Sequence, residues 1–114
     1  MGNVIVDKSF EFAVSVVKLA DELKDKKKHE LAGQILRSGT SIGANVSEAQ
    51  YSQSKKDFIS KMHIALKEAN ETDYWLKLLR AVDAISEEDY SKLRKEADEI
   101  IRILVTIIKT SKST

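Results

Sequence analysis

The chain has 114 residues, of which 42% are hydrophobic and 32% charged, with no proline, no cysteine and only four glycines. This composition is typical of one helical domain over residues 1–114, and the lack of cysteine excludes disulfides and thiolate chemistry. The 19 basic and 18 acidic residues give a net charge of +1, which excludes a domain that is strongly basic overall.

Apolar residues at steps of three and four predict a first helix over residues 7–24, with Asp7 or Ser9 as its cap. This helix carries two apolar stripes about a quarter turn apart, and a bundle core needs only one of them. The stripe that we assign to the core comprises Val6, Phe10, Ala13, Val17 and Ala20. The other stripe, together with one residue of the fourth helix, is the predicted oligomer interface: Phe12, Val16, Leu19, Leu23 and Ile103.

A charged connection leads to a second predicted helix over residues 29–52, whose apolar residues again recur at helical spacing. The centre of this helix is poor in helix-forming residues, because each glycine costs up to about 1 kcal/mol relative to alanine. Gly39, Gly43 and Ser47 are spaced four apart and therefore lie on one line. We predict that a neighbouring helix approaches the backbone closely along this line.

The third predicted helix covers residues 55–82 and follows Ser54, which can cap it together with Asp57 three residues later. The fourth covers residues 87–110 and follows Ser86 and three acidic residues, which suit the positive end of a helix dipole. Four amphipathic helices with short connections predict an all-α, antiparallel up-down-up-down four-helix bundle.

The sequence carries no recognisable catalytic motif. Neither His29 nor His63 completes the Glu-x-x-His motif of a di-iron bundle, and no Gly-Lys-Ser/Thr sequence follows the glycines as in a P-loop. We therefore predict no enzymatic activity, no metal, no cofactor and no small-molecule substrate.

The start of the chain lacks the basic segment and apolar core of a signal peptide. The longest apolar stretch, residues 100–108, is interrupted by Arg102 and is too short to cross a bilayer. We expect a cytoplasmic protein that does not bind a membrane.

Polar residues gather at the margins of the second and third helices and form a candidate site. They are Ser41, Asn45, Glu48, Glu68, Glu71 and Trp75. One interpretation is a pocket of carboxylate and amide groups. The other, which we favour, is a structural hydrogen-bond network that fixes how the two helices meet, because partly buried carboxylates need donors.

Basic residues gather around the connection between the first two helices. They are Lys24, Lys26, Lys27, Lys28 and Arg37. They are either a patch that binds nucleic acid or a solvated loop with its adjoining helix ends, and we favour the second interpretation.

Two stretches resemble the signature of the bacterial proteins called 23S rRNA-intervening-sequence proteins: residues 37–49, RSGTSIGANVSEA, and residues 67–79, KEANETDYWLKLL. Residues 9–13 and Phe58 match as well, so nearly the whole chain is covered. The resemblance implies an antiparallel four-helix bundle that assembles into a ring, usually a homopentamer, and it implies no settled function.

The resemblance extends to a related bundle, the accessory variability determinant of diversity-generating retroelements, which is a basic pentamer that binds reverse transcriptase and nucleic acid. This chain differs from that protein in being nearly neutral. It also has Gly43 where relatives often have proline, and Gln50 where many have glycine.

The sequence is therefore compatible with three functions. The first is a non-enzymatic, ring-forming homo-oligomeric scaffold, because the first and fourth helices carry more apolar surface than one bundle can bury. The second is an accessory protein that binds RNA or a nucleoprotein through the patch at Lys24–Arg37. The third is an enzyme or ligand binder that uses Asn45, Glu48, Glu68 and Glu71, and it ranks last.

Overall fold

The computed structural model describes residues 3–114. Within this range the chain forms four helices: α1 (Val4–Asp25), α2 (His29–Ala49), α3 (Lys55–Ala81) and α4 (Glu87–Lys112). Each helix packs on the next, and α1 closes the bundle against α4. Asn3 at the start of α1 donates to Gln50 at the end of α2, as antiparallel neighbours require. The predicted all-α four-helix bundle is confirmed.

The caps of α3 and α4 lie where the sequence predicts them. The Ser54 hydroxyl accepts a hydrogen bond from the Asp57 N–H at 3.0 Å, and the Ser86 hydroxyl accepts one from the Asp89 N–H at 3.1 Å. The predicted start of α1 is wrong, because Val4 already begins the helix and Ser9 lies buried inside it. The hydroxyl of Ser9 donates to the carbonyl of Val6 at 3.2 Å instead of capping.

The turns after α1 and after α3 have the same construction and lie at the same end of the bundle. Lys27 and Asp83 adopt left-handed backbone angles, with φ of 63° and 56°. The N–H group of Lys28 then bonds to the carbonyl of Leu23, and that of Ala84 to the carbonyl of Leu79, both at 2.8 Å. This is the Schellman ending of a helix, in which glycine is the usual left-handed residue.

The core assignment of α1 is corrected by the structure, because its two apolar stripes largely exchange roles, and only Ala20 of the predicted core stripe is fully buried. Four of the predicted interface residues lie in the bundle core, each at most 5% exposed: Phe12, Val16, Leu19 and Leu23. Ile103 is half-buried against the same core. By contrast, Phe10 and Val17 from the predicted core stripe are exposed. The predicted interface is therefore wrong for the four residues of α1.

Close packing between α1 and α2 fixes this rotation of α1. A Cβ atom on Gly39 would lie 2.7 Å from Cγ1 of Val16, and one on Gly43 would lie 3.1 Å from the carbonyl oxygen of Ser9. Val16 can enter the bundle only because Gly39 has no side chain. The close approach predicted from the glycine spacing is confirmed, and the helix that approaches is α1.

The contact between α1 and α4 includes an ion pair at the surface. The Nζ atom of Lys8 lies 2.7 Å from Oε1 of Glu99. This hydrogen bond and the carboxylate charge raise the pKa of Lys8. Within residues 3–114, no helix is both long and apolar enough to span a membrane.

Candidate functional site

Three of the six predicted polar residues meet around one arginine. The guanidinium of Arg37, on α2, bonds to Oε1 of Glu68 at 3.1 Å and to Oε2 of Glu71, both on α3. One turn further along α3, the indole N–H of Trp75 donates to the same oxygen of Glu71 at 3.2 Å. This arginine–carboxylate cluster joins α2 to α3 through two ion pairs.

A buried hydroxyl pair lies beside the arginine–carboxylate cluster. Ser38 and Thr72 are fully buried, and their hydroxyl oxygens are 2.9 Å apart. Ser38 follows Arg37, and Thr72 follows Glu71, so the same two stretches of helix form both contacts. The Thr72 hydroxyl also donates to the carbonyl of Glu68 at 2.8 Å, within α3. The pair fixes the register of the two helices, because sliding either helix would take this partner from the buried Ser38 hydroxyl.

The other three predicted residues lie apart from the cluster. The Ser41 hydroxyl donates to the carbonyl of Arg37 at 2.6 Å, and the Asn45 amide donates to the carbonyl of Ser41 at 2.8 Å, so both bonds stay within α2. The exposed Glu48 pairs with Lys61 of α3 at 3.0 Å. The six residues therefore form three separate groups, and they do not surround a common pocket.

The role of Arg37 in this cluster was not predicted from the sequence, because the residue was grouped with the basic patch. A usable signal exists in the antiparallel register of α2 and α3. Arg37 precedes the turn between these helices by about as many residues as Glu68 and Glu71 follow it. Oppositely charged residues at matching distances from a short turn are expected to meet.

The remaining basic residues surround the turn between α1 and α2. Lys24, Lys26 and Lys27 are exposed and Lys28 is half-buried, and none of the salt bridges within residues 3–114 involves them. Arg37 lies roughly 13 Å further along α2 and is engaged by carboxylates, so it does not belong to this patch. The turn between α3 and α4, at the same end, contributes acidic residues: Asp83, Glu87, Glu88 and Asp89.

An apolar groove lies on the outside of the bundle between α1 and α2. We call it the α1/α2 groove; it has a volume of about 400 Å³ and is lined mainly by Val6, Phe10, Ala13, Thr40, Gly43 and Ala44. Phe10 on its rim is 68% exposed, and Val14 and Val17 continue the apolar surface along α1 at 40% and 42%. Phe10 and Val17 belong to the stripe predicted to lie in the core, whereas Val14 was placed in neither stripe.

Metal-binding groups do not converge in the part of the chain that the structure describes. Residues 3–114 contain no cluster of three histidine, aspartate, glutamate or cysteine side chains that could hold a metal ion. His29 and His63 are both exposed and lie on different helices.

Comparison with known proteins agrees with this architecture. The sequence profile of the family described as 23S rRNA-intervening sequence protein matches residues 2–106. A solved structure from Bacteroides thetaiotaomicron, described as a protein with unknown function from the S23 ribosomal protein family, is 51% identical, with a TM-score of 0.90. The match covers 92% of this chain and 98% of that one, whereas no curated protein matches. The chain belongs to the 23S rRNA-intervening sequence protein family.

Proposed function

We propose that this protein is a non-enzymatic scaffold whose copies associate into a ring through the α1/α2 groove. The observation that carries the proposal is the exposure of Phe10, Val14 and Val17 along one face of α1, beside an apolar groove. Isolated exposed apolar residues are common, but a continuous apolar surface beside a groove is characteristic of an interaction site. The partner to which we commit is a second copy of the chain.

The strength of such a contact follows from the side chains involved. Fully burying a phenylalanine or valine side chain contributes roughly 1.5–3 kcal/mol, and this face offers one phenylalanine and two valines. Contacts that repeat with a fixed rotation close into a ring when that rotation divides a full turn, and form an open filament otherwise. The family resemblance implies five copies, so we propose a homopentamer.

The polar groups of the bundle favour a scaffold over an enzyme. Glu68 and Glu71 are held by Arg37, Glu48 is paired with Lys61, and the Asn45 amide donates within its own helix. Side chains engaged in this way stabilise the bundle and are not free to act on a substrate. Neither the family description nor that of the solved structure names a reaction.

Light scattering over a dilution series tests the proposal. The wild-type chain is expected to give the mass of an oligomer at micromolar concentration, and Phe10→Ser is expected to shift it towards the monomer. Tyr51→Ser is the matched control, because Tyr51 is even more exposed than Phe10 but lies at the end of the bundle beyond α2. A monomer mass for the wild-type chain at micromolar concentration would contradict the proposal.

A second candidate function is RNA binding through Lys24, Lys26, Lys27 and Lys28. The observation in its favour is that these lysines surround one turn without a salt bridge in the described residues. A ring would repeat the cluster around its axis, and phosphate contacts would make the affinity fall steeply with salt. The test is retention of structured RNA by the protein at low ionic strength. The double variant Lys26→Gln/Lys27→Gln is expected to retain less RNA than the control Lys92→Gln/Lys95→Gln. Equal retention by the two variants would exclude this function.

A further inference from the structure

The outer side of α3 carries an uninterrupted stripe of exposed residues without an acidic side chain. We call it the α3 outer stripe; at steps of three and four it comprises Lys56, Ser60, His63, Lys67, Asn70, Tyr74 and Lys77. Tyr74 is 58% exposed, and Ile64 beside the stripe is 40% exposed. Lys77 is paired with Asp73 at 3.3 Å, whereas Lys56 and Lys67 make no salt bridge within residues 3–114. The stripe therefore combines positive charge with exposed apolar groups.

The α1/α2 groove has the opposite charge. Asp7 and Glu11 lie one turn apart on its rim, and its lining includes no basic residue. Neither carboxylate takes part in a salt bridge within the described chain. If two copies met groove to groove about a two-fold axis, four carboxylates would come together around the apolar contact. Like charges at a rim oppose association and slow the encounter of the partners.

We propose that the α1/α2 groove of one copy receives the α3 outer stripe of the next. In this arrangement Ile64 and Tyr74 cover the apolar surface of Phe10 and Val14, and Lys67 faces the acidic rim. The inference rests on the proposed function, because it names the second surface of the same self-association. It makes the contact heterologous, with two different faces of each copy in use.

The positions of the two faces on the bundle are consistent with a closed assembly. The helices pack in the order α1, α2, α3, α4, so α3 occupies the corner diagonal to α1. The direction in which this corner faces outward is therefore not opposite to the direction in which the α1/α2 groove faces outward. Each copy is therefore rotated relative to the last, and a chain of copies curves as a ring requires.

Charge reversal tests the pairing of the two surfaces. Glu11→Lys and Lys67→Glu, each alone, are expected to raise the concentration for half-assembly about tenfold in sedimentation velocity, because each places like charges at the contact. The double variant is expected to regain most of the lost affinity between copies, because it restores opposite charges at the contact. Glu22→Lys and Lys95→Glu are matched controls, since both are exposed charges outside the two surfaces. If the single variants assemble like wild type, or the double variant is weaker than both, the inference is wrong.

The absence of native cysteine permits a second test by disulfide trapping. Copies with Glu11→Cys and copies with Lys67→Cys, one of them carrying a mass tag, are mixed and oxidised. A cross-link between tagged and untagged copies is expected, while Glu11→Cys alone is expected to remain uncross-linked. A cross-link within Glu11→Cys alone would establish the groove-to-groove dimer and overturn the inference.

Failure of the inference can be separated from failure of the proposed function. A wild-type chain that is monomeric in light scattering contradicts both. The other outcome is an oligomer that Phe10→Ser weakens, without recovery in the charge-reversed double variant and without the mixed cross-link. In that case the scaffold function stands, and only the assignment of the α3 outer stripe as the docking surface is wrong.

Discussion

Gly39 lies where α1 and α2 approach most closely, and its lack of a side chain sets their separation. Replacing an interior helical glycine with alanine normally stabilises a helix by about 1 kcal/mol. At Gly39 the added Cβ would lie 2.7 Å from Cγ1 of Val16, which is fully buried. Overpacking of this kind costs roughly 1–3 kcal/mol, because a β-branched side chain in a helix strongly prefers a single rotamer and cannot easily turn away.

We therefore expect Gly39→Ala to lower the free energy of unfolding by up to about 2 kcal/mol in urea denaturation, because the overpacking cost exceeds the gain in helix propensity. Gly33→Ala is the matched control, because nothing lies within 4 Å of a Cβ atom at that position in the same helix. This control should raise the free energy of unfolding by about 0.5–1 kcal/mol. Stabilisation by both substitutions would mean that α1 and α2 are not held at the separation seen here.

Lys27 is a second residue at which the backbone dictates the outcome of a substitution. Its φ of 63° is strained for a residue with a Cβ atom, and the Schellman ending of α1 depends on it. Lys27→Gly is expected to raise the free energy of unfolding by up to about 1 kcal/mol in urea denaturation. Lys26→Gly is the control, since its φ of −85° suits any residue and the substitution only loosens the unfolded chain. Equal effects of the two changes would exclude a role for the left-handed geometry.

At the scale of helices, the buried Ser38–Thr72 pair is the contact most sensitive to register. Thr72→Val keeps the shape of the side chain but leaves the buried Ser38 hydroxyl without this partner, which costs about 1–3 kcal/mol. Ser38→Ala should cost less, because the Thr72 hydroxyl still donates to the carbonyl of Glu68 at 2.8 Å. The double variant should cost less than the sum of the two, because an apolar pair leaves no hydroxyl unsatisfied. Additive losses in urea denaturation would show that the hydroxyls act independently.

The arginine–carboxylate cluster should matter less to stability, although its geometry is more conspicuous. Arg37 remains about half exposed, and exposed ion pairs contribute roughly 0–1 kcal/mol each. We therefore expect the buried hydroxyl pair to contribute more than the cluster to the stability of the contact between α2 and α3. Both contacts connect the two segments that carry the family resemblance.

Helix number and type were predictable because apolar residues recur at helical spacing throughout the chain. The rotation of α1 about its axis could not be predicted, because its two stripes are almost equally apolar and periodicity alone cannot choose between them. The choice depends on a contact between helices, namely Val16 against Gly39. The same limit applies to the candidate site: Glu68, Glu71 and Trp75 could be grouped from the spacing along α3, whereas their partner Arg37 depends on the register of α2.

For the whole molecule, the corrected rotation of α1 changes which surface is available to a partner. Phe12, Val16, Leu19 and Leu23 stabilise the bundle, and Phe10, Val14 and Val17 remain exposed. A substitution on the exposed stripe should therefore affect assembly without removing anything from the core. The contribution of the core and the contribution of association to stability can therefore be measured in one experiment.

The melting temperature should depend on protein concentration, because association that requires the folded chain stabilises it by mass action. For the wild-type chain we expect the Tm to rise by several degrees per hundredfold increase in concentration, since a domain of this size shifts by about 4 °C per kcal/mol. For Phe10→Ser we expect the Tm to be almost independent of concentration and to approach the dilute wild-type value, because Phe10 contributes little to the core. Scanning calorimetry of the wild-type chain and of Phe10→Ser over a hundredfold range of protein concentration checks both expectations. A wild-type Tm that does not change with concentration would mean that folding and association are not linked through this face.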